Sequence, residues 1–183
     1  MKKSFLFLVV ITGVLITLNQ SLSAQEEVAG KLFYTELGGP GIIMSMNFDS
    51  RFNSNERIGL GYRLGAGFGV GNFGEEQNDN GYTYSEGITK TIYSFPVGLN
   101  YIFGKPRRSS TFEVGGGVSV LSRKVSIYNF DVKKRGHVIG HITFMYRIAP
   151  VNGGFSFRAG FTPIIGTAGD LCPMVAIGFG YAF

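Results

Sequence analysis

The sequence predicts an all-β fold: a closed, antiparallel, eight-stranded, up-and-down transmembrane β-barrel. Three observations carry that expectation. Apolar and aromatic residues recur with period two over most of the chain, the spacing of strands rather than helices. The two parities are sorted, with large apolar side chains on one and Gly, Ala, Ser and the ionic residues on the other. Turn-forming segments punctuate the apolar runs and sort by length onto two rims.

The elements run in order along the chain. Phe33, Thr35 and Leu37 alternate with Tyr34 and Glu36, and the tight turn Gly38-Gly39-Pro40-Gly41 ends this first strand. Ile42, Met44, Met46 and Phe48 then alternate with Ser45, Asn47, Asp49 and Arg51, up to Asn53-Ser54-Asn55. A single bent strand over residues 31–52 would make the count seven. In the third, Leu60, Tyr62, Leu64, Ala66 and Phe68 alternate with Gly61, Arg63, Gly65 and Gly67, before a long connection from Gly71 to Gly87. Tyr93, Phe95, Val97, Leu99, Tyr101 and Phe103 form the apolar side of the fourth, closed by Gly104-Lys105-Pro106. In the fifth, Phe112, Val114, Val118 and Val120 alternate with Thr111, Glu113, Gly115, Gly117 and Ser119, and a second long connection spans Ser122 to Gly136. Val138, Ile142, Phe144, Tyr146 and Ile148 define the sixth, turned by Pro150 to Gly154. Phe155, Phe157, Ala159 and Phe161 define the seventh, and Val175, Ile177, Phe179, Tyr181 and Phe183 the eighth, with Gly166 to Pro173 between them. With these directions the three longer connections and the Gly-Gly-Pro-Gly turn share one rim, and the other three short turns share the opposite one.

Composition excludes several alternatives. Of 183 residues 28 are Gly, and only 16% are charged, whereas ordinary soluble domains carry roughly 7% Gly and about 25% charged residues. Seventeen Phe and nine Tyr argue against disorder. The single Cys172 excludes a disulfide framework. No run after the N-terminus reaches the ~18 apolar residues of a helical membrane span. At the N-terminus, Lys2 and Lys3 precede an apolar stretch from Phe5 to Leu18 and small residues up to Ala24. This pattern predicts a secretory signal over residues 1–24, cleaved near Ala24, and one barrel domain over 25–183. An uncleaved signal anchor is the alternative, and no Cys follows to suggest a lipid anchor. Without the two lysines, 15 basic residues stand against 12 acidic ones; that balance and the exported address argue against a nucleic-acid partner.

Charge placement decides which face is which. Glu36, Asp49, Arg51, Arg57, Arg63, Lys90, Glu113, Arg147 and Arg158 all share the parity of Gly, Ser and Asn. A soluble sandwich or lipocalin-like barrel would also show period two. Its solvated face, however, would carry Lys, Glu and Thr rather than Gly, Ala and Ser. Small residues punctuated by opposite charges suit the narrow lumen of a small barrel. On the other face, Phe52, Tyr101, Phe103, Phe112, Tyr146, Phe155, Tyr181 and Phe183 gather near the short-turn rim, as an aromatic girdle at a membrane interface would.

The candidate site residues are therefore ionic and luminal. Glu113, Arg147 and Arg158 form one expected group; Asp49, Arg51 and Arg63, with Glu36 beside them, form a second. Opposite charges in a narrow lumen must pair, so a structural plug is expected, with a gated ion or proton path as the alternative. His137 and His141 are about 13 Å apart at ~3.3 Å per residue, too far to share one metal ion. Gly65-Ala66-Gly67-Phe68-Gly69 lies within a strand with no helix after it, so it is no nucleotide loop. No catalytic, cofactor-binding or metal-binding residues are expected, and the chain is not read as an enzyme. The connection from Gly71 to Gly87 carries Glu75, Glu76, Asp79 and Glu86 and no basic residue, whereas that from Ser122 to Gly136 carries Arg123, Lys124, Lys133, Lys134 and Arg135 against Asp131. Lys133, Lys134 and Arg135 are the candidates for contact with lipopolysaccharide phosphates.

The C-terminal Gly178-Phe179-Gly180-Tyr181-Ala182-Phe183 resembles the last strand of bacterial outer-membrane proteins. The resemblance implies that Phe179, Tyr181 and Phe183 form the signal read by the barrel-assembly machinery. The chain from residue 25 onward resembles the small eight-stranded barrels of the OmpA/OmpX type. Tyr34 to Gly39 and Gly154 to Pro163 are similar to segments of other small, poorly characterised bacterial outer-membrane barrels. These resemblances imply residence in a Gram-negative outer membrane and are specific for no activity; the reading of the chain as a whole is a structural or surface-interaction role. The partners would be outer-membrane lipids, lipopolysaccharide and an extracellular molecule met by the loops. A narrow transport route for small solutes is the alternative, and a lipid-modifying enzyme a more distant one.

Overall fold

A computed structural model describes residues 28–53, 55–72, 76–79, 82–85, 89–125, 136–167 and 169–183. The expected signal over 1–24 lies outside these residues. The chain runs through β1 (Lys31–Gly38), a 3-10 turn (Gly39–Gly41), β2 (Met44–Arg51), β3 (Gly59–Asn72), β4 (Glu76–Asp79), β5 (Tyr82–Ser85) and β6 (Thr89–Phe103). It continues through β7 (Ser110–Val125), β8 (Gly136–Ile148), β9 (Gly154–Phe161), β10 (Ile164–Ile165), β11 (Leu171–Cys172) and β12 (Val175–Ala182).

Eight antiparallel staves close into a barrel in the order β1, β2, β3, β6, β7, β8, β9, β12 and back to β1. Residues 31–52 thus form two strands, because Gly38 and Gly39 adopt φ of 76° and 66° and reverse the chain. The seam pairs the first strand with the last: Lys31 and Phe183 exchange backbone hydrogen bonds of 2.9 Å in both directions. β4 and β5 form a separate two-stranded hairpin within the first long connection.

Three prolines mark where the ladders lapse, since proline has no N–H to donate. Pro96 lies mid-stave in β6, and the bridges to β3 are interrupted between Leu64↔Val97 and Gly67↔Ser94. Pro163 separates β9 from β10, and Pro173 separates β11 from β12. The ladder recovers across these breaks, for Ile142 N donates to Pro163 O at 3.0 Å and Thr162 N to Met174 O at 2.6 Å. The seventh and eighth staves therefore continue as β10 and β11, shortening the connection expected from Gly166 to Pro173.

Burial matches the parities. Phe33, Leu60, Phe95, Leu99, Phe144 and Phe179 are among the exposed apolar side chains, and all eight expected girdle aromatics are exposed too. The interior holds the polar and ionic residues, with Asp49, Glu113, Ser94 and Ser119 at 0% exposure. An apolar exterior around a charged interior inverts a soluble protein, in which the apolar parity would be buried. Among the described residues no helix is long and apolar enough to cross a membrane.

Candidate functional site: the closed lumen

The interior is layered. Nearest the short-turn rim, Ala29, Leu32, Tyr34, Ala149 and Ala182 form a buried apolar cluster. Residues ahead of β1 fold across this end: Ala29 N donates to Val151 O at 3.0 Å, and Arg51 N to Gly30 O at 3.2 Å. Arg57 reaches from the β2–β3 turn to donate to Ala149 O at 2.7 Å and Arg108 O at 3.0 Å. One guanidinium thus ties three turns together. Burial, and after it the neighbouring Arg147 charge, lowers the proton affinity of Arg57 below that of an ordinary arginine.

Above this layer lies the ionic one. Asp49 Oδ1 meets Arg51 Nη2 at 2.6 Å and Arg147 Nη1 at 3.1 Å, and its Oδ2 accepts from Asn100 Nδ2. Glu113 Oε1 accepts from Arg63 Nη2 and, at 3.0 Å, from Arg158 Nη2. Arg147 Nη1 stands 3.7 Å from the other Glu113 oxygen, and Arg158 Nε stands 3.3 Å from Glu36 Oε2. Tyr34 presents its ring to two cations, with Arg158 Cζ 4.4 Å and Arg63 Cζ 5.7 Å from the centroid.

The third layer, towards the long-loop rim, is apolar again. Ile92, Leu121, Ile139 and Ile164 are buried together, with Ile42, Val125, Cys172 and Met174 packed against them. The β1–β2 turn folds into the lumen beside this cluster, and Gly39, Pro40 and Gly41 are all buried. Two luminal hydroxyls hold it there: Ser119 Oγ donates to Pro40 O at 2.9 Å and Ser94 Oγ to Gly41 O at 3.0 Å. Ile42 completes the turn at φ 78°, a conformation that costs a β-branched residue energy and that its packing must offset.

The seven candidate ionic residues face this lumen and are 4% exposed or less, and of the other two charges on that parity Arg57 is buried at the short-turn rim while Lys90 is exposed. The expected pairings of Glu113 with Arg147 and Arg158 and of Asp49 with Arg51 are present, whereas Arg63 joins Glu113, Glu36 joins Arg158, and Arg147 also reaches Asp49. Asp49 and Arg63 are register partners, yet Arg63 reaches to Glu113; Arg147 and Arg158 are also register partners, and they share Glu113 while Arg147 additionally meets Asp49 and Arg158 meets Glu36. The lumen is narrow enough for an arginine to cross it, so reach rather than register selects the partner. Phe179 and Tyr181 are exposed on the outer face of β12, and Phe183 comes directly after that strand. Lys133, Lys134, Arg135 and Glu75 lie outside the described residues.

His141 is buried with Nδ1 3.4 Å from Ser119 Oγ. That hydroxyl already donates to Pro40 O, so its proton is engaged away from the imidazole. His137 is exposed at the rim, its Nδ1 3.0 Å from Leu121 O. Among the described residues no three of His, Cys, Asp and Glu gather as a metal site. The residues not anticipated are Tyr34, Asn100 and the luminal isoleucines. Their signal was available: Tyr34, Ile92, Leu121 and Ile139 are large side chains on the parity of small ones.

A stave order of this kind, with a polar interior and an apolar belt, defines the class of small membrane β-barrels. Among solved structures the chain is similar to the N-terminal β-barrel domain of Pseudomonas aeruginosa OprF, with a TM-score of 0.51 and 14% identity over 85% of this chain and 99% of that one. The shared fold is thus the closed, antiparallel, eight-stranded β-barrel. No protein-family model matches the sequence, and no curated protein does.

Proposed function

We propose that the protein is an exported, non-enzymatic barrel of a Gram-negative outer membrane, with a plugged lumen and a structural or surface-interaction role exercised by its outer loops. The observation that carries this reading is the threefold closure of the interior. The Ala29–Arg57 layer, the ionic layer and the inward-folded β1–β2 turn each block the axis in turn. A transport route would require all three to rearrange. Eight-stranded barrels have interiors that side chains just fill, which agrees with this packing.

The export signal over 1–24 supports the outer-membrane address. The loops on the long rim then face outward, where Lys133, Lys134 and Arg135 would meet lipopolysaccharide phosphates and the acidic loop would remain free for an external partner. The deciding experiment is conductance in a planar bilayer. The expected result is a silent membrane, and steady unitary currents would replace this reading with the transport one. A change in lipid A mass on expression would instead point to lipid-modifying chemistry.

A further inference from the structure

The ionic layer is not balanced. Arg51, Arg63, Arg147 and Arg158 are all buried, against the carboxylates of Glu36, Asp49 and Glu113. Four permanent cations therefore face three anions, because arginine keeps its proton in proteins. Arg57 lies apart from this count, being engaged by turn carbonyls at the short-turn rim. A surplus charge held away from water is costly unless something of opposite sign accompanies it.

A second count, independent of charge, points the same way. Among the described residues the buried side-chain polar atoms without a hydrogen-bond partner are Tyr34 Oη, Glu36 Oε2, Arg51 Nε, Arg63 Nε, Glu113 Oε2, Arg158 Nε and Arg158 Nη1. Both carboxylate oxygens in that set have an ionic neighbour, Arg158 Nε for Glu36 and Arg147 for Glu113. The remainder is a set of donors: Tyr34 Oη, Arg51 Nε, Arg63 Nε and Arg158 Nη1. Three of these belong to one assembly, since Arg63 and Arg158 share Glu113 Oε1 and both stand over the Tyr34 ring. Water satisfies donors but leaves the charge uncompensated. An anion satisfies both counts at once.

We propose that the lumen binds one small inorganic anion of halide type beside Arg63, Arg158 and Tyr34, and that this ion completes the ionic layer. Its negative charge brings the layer to neutrality, and its spherical acceptor surface takes the free donors of Arg63, Arg158 and Tyr34, leaving Arg51 Nε outside the set. The closed ends explain how such an ion stays: it is enclosed as the barrel folds. This assignment rests on the ionic layer alone and goes beyond the structural role proposed above.

The test uses bromide as the probe. The full chain is refolded into detergent in sodium bromide, and crystals grown in the same salt are measured at the bromine absorption edge. An anomalous peak in contact with the Arg63 and Arg158 guanidiniums is the expected result. Arg63→Met leaves three cations against three carboxylates, so this variant should fold and lose the peak. Bromide crystals of the wild-type chain with no anomalous density in the lumen would overturn the proposal without reference to any variant. So would a peak of undiminished height in Arg63→Met.

Discussion

Arg147 Nη1 lies 3.1 Å from Asp49 Oδ1, although the two residues are 98 positions apart and stand on staves facing each other across the barrel. Hydrogen bonds between neighbouring staves fix the circumference but do little to fix the cross-section. A pair spanning the lumen constrains the cross-section directly. Asp49 also holds Arg51 and Asn100, so one carboxylate couples β2, β6 and β8. Glu113 does the same for β3, β8 and β9. The interior is in this sense a cross-link made of charge.

Removing Glu113 tests that cross-link. Its carboxylate faces three guanidiniums, at Arg63, Arg147 and Arg158. Glu113→Ala leaves those cations without their shared partner, a loss of roughly 3–5 kcal/mol. The unfolding midpoint in urea should fall accordingly, while conductance stays silent because the apolar layers remain. A midpoint unchanged from wild type would show that the network adds nothing to stability.

The strand count, the direction of each stave and the facing of the ionic residues were legible because period two and charge parity are local properties of the sequence. The groups of Glu113 with Arg147 and Arg158 and of Asp49 with Arg51 were legible too, but the partners of Arg63 and Glu36 were not. Arg63 sits opposite Asp49 in register and bonds Glu113 instead, a choice made by side-chain reach across a closed cylinder. The inward fold of the β1–β2 turn was equally hidden, since it depends on Ser94 and Ser119, more than fifty residues further on. Pro163 and Pro173 were visible as breakers, but only the paired ladders show that the staves resume beyond them.

Close backbone approach makes a second prediction. Gly160 of β9 faces the lumen opposite Met145 of β8, and a Cβ placed there would collide with the Phe144 carbonyl oxygen and meet Met145 Sδ at 2.9 Å. The carbonyl belongs to the ladder and has little freedom to yield. Gly160→Val should therefore destabilise the barrel by about 1–3 kcal/mol or prevent closure between these staves. Heat-modifiable migration on gels reports closure, and normal migration with an unchanged unfolding midpoint would contradict the prediction.

The seam makes a third. Phe183 gives and receives a backbone hydrogen bond with Lys31, the last rung joining the first strand to the last. For this residue we propose, besides the structural role, the recognition role that the resemblance to an assembly signal implies. Deletion of Phe183 should move the protein from the outer membrane to the periplasm or to degradation. Full-chain refolding in detergent separates the two roles: a variant that refolds but does not reach the membrane has lost recognition. Wild-type yield in the outer membrane would sink both.

The last prediction concerns the outer loops. Recognition residues concentrate on loops that a rigid scaffold presents, and the long connection after β7 begins beside an exposed pair, Arg123 and Lys124. Arg123 is anchored there by a 3.2 Å hydrogen bond from its Nε to Thr91 O on the neighbouring stave. Lys133, Lys134 and Arg135 immediately precede β8 in the sequence, so five basic residues belong to one connection and its borders. Each Lys or Arg near an anionic surface contributes about 1 kcal/mol within a Debye length. Replacing Lys133, Lys134 and Arg135 with Ser should thus weaken lipopolysaccharide association by up to about a hundredfold at low salt. The difference should shrink as salt rises, and barrel formation should be unaffected. Replacing Glu75, Glu76 and Asp79 should produce no such loss, because removing acidic charge cannot weaken attraction to phosphate. If the basic triple variant binds lipopolysaccharide as tightly as wild type at low salt, the loop is a solvated connection and the partner must be sought elsewhere on the rim.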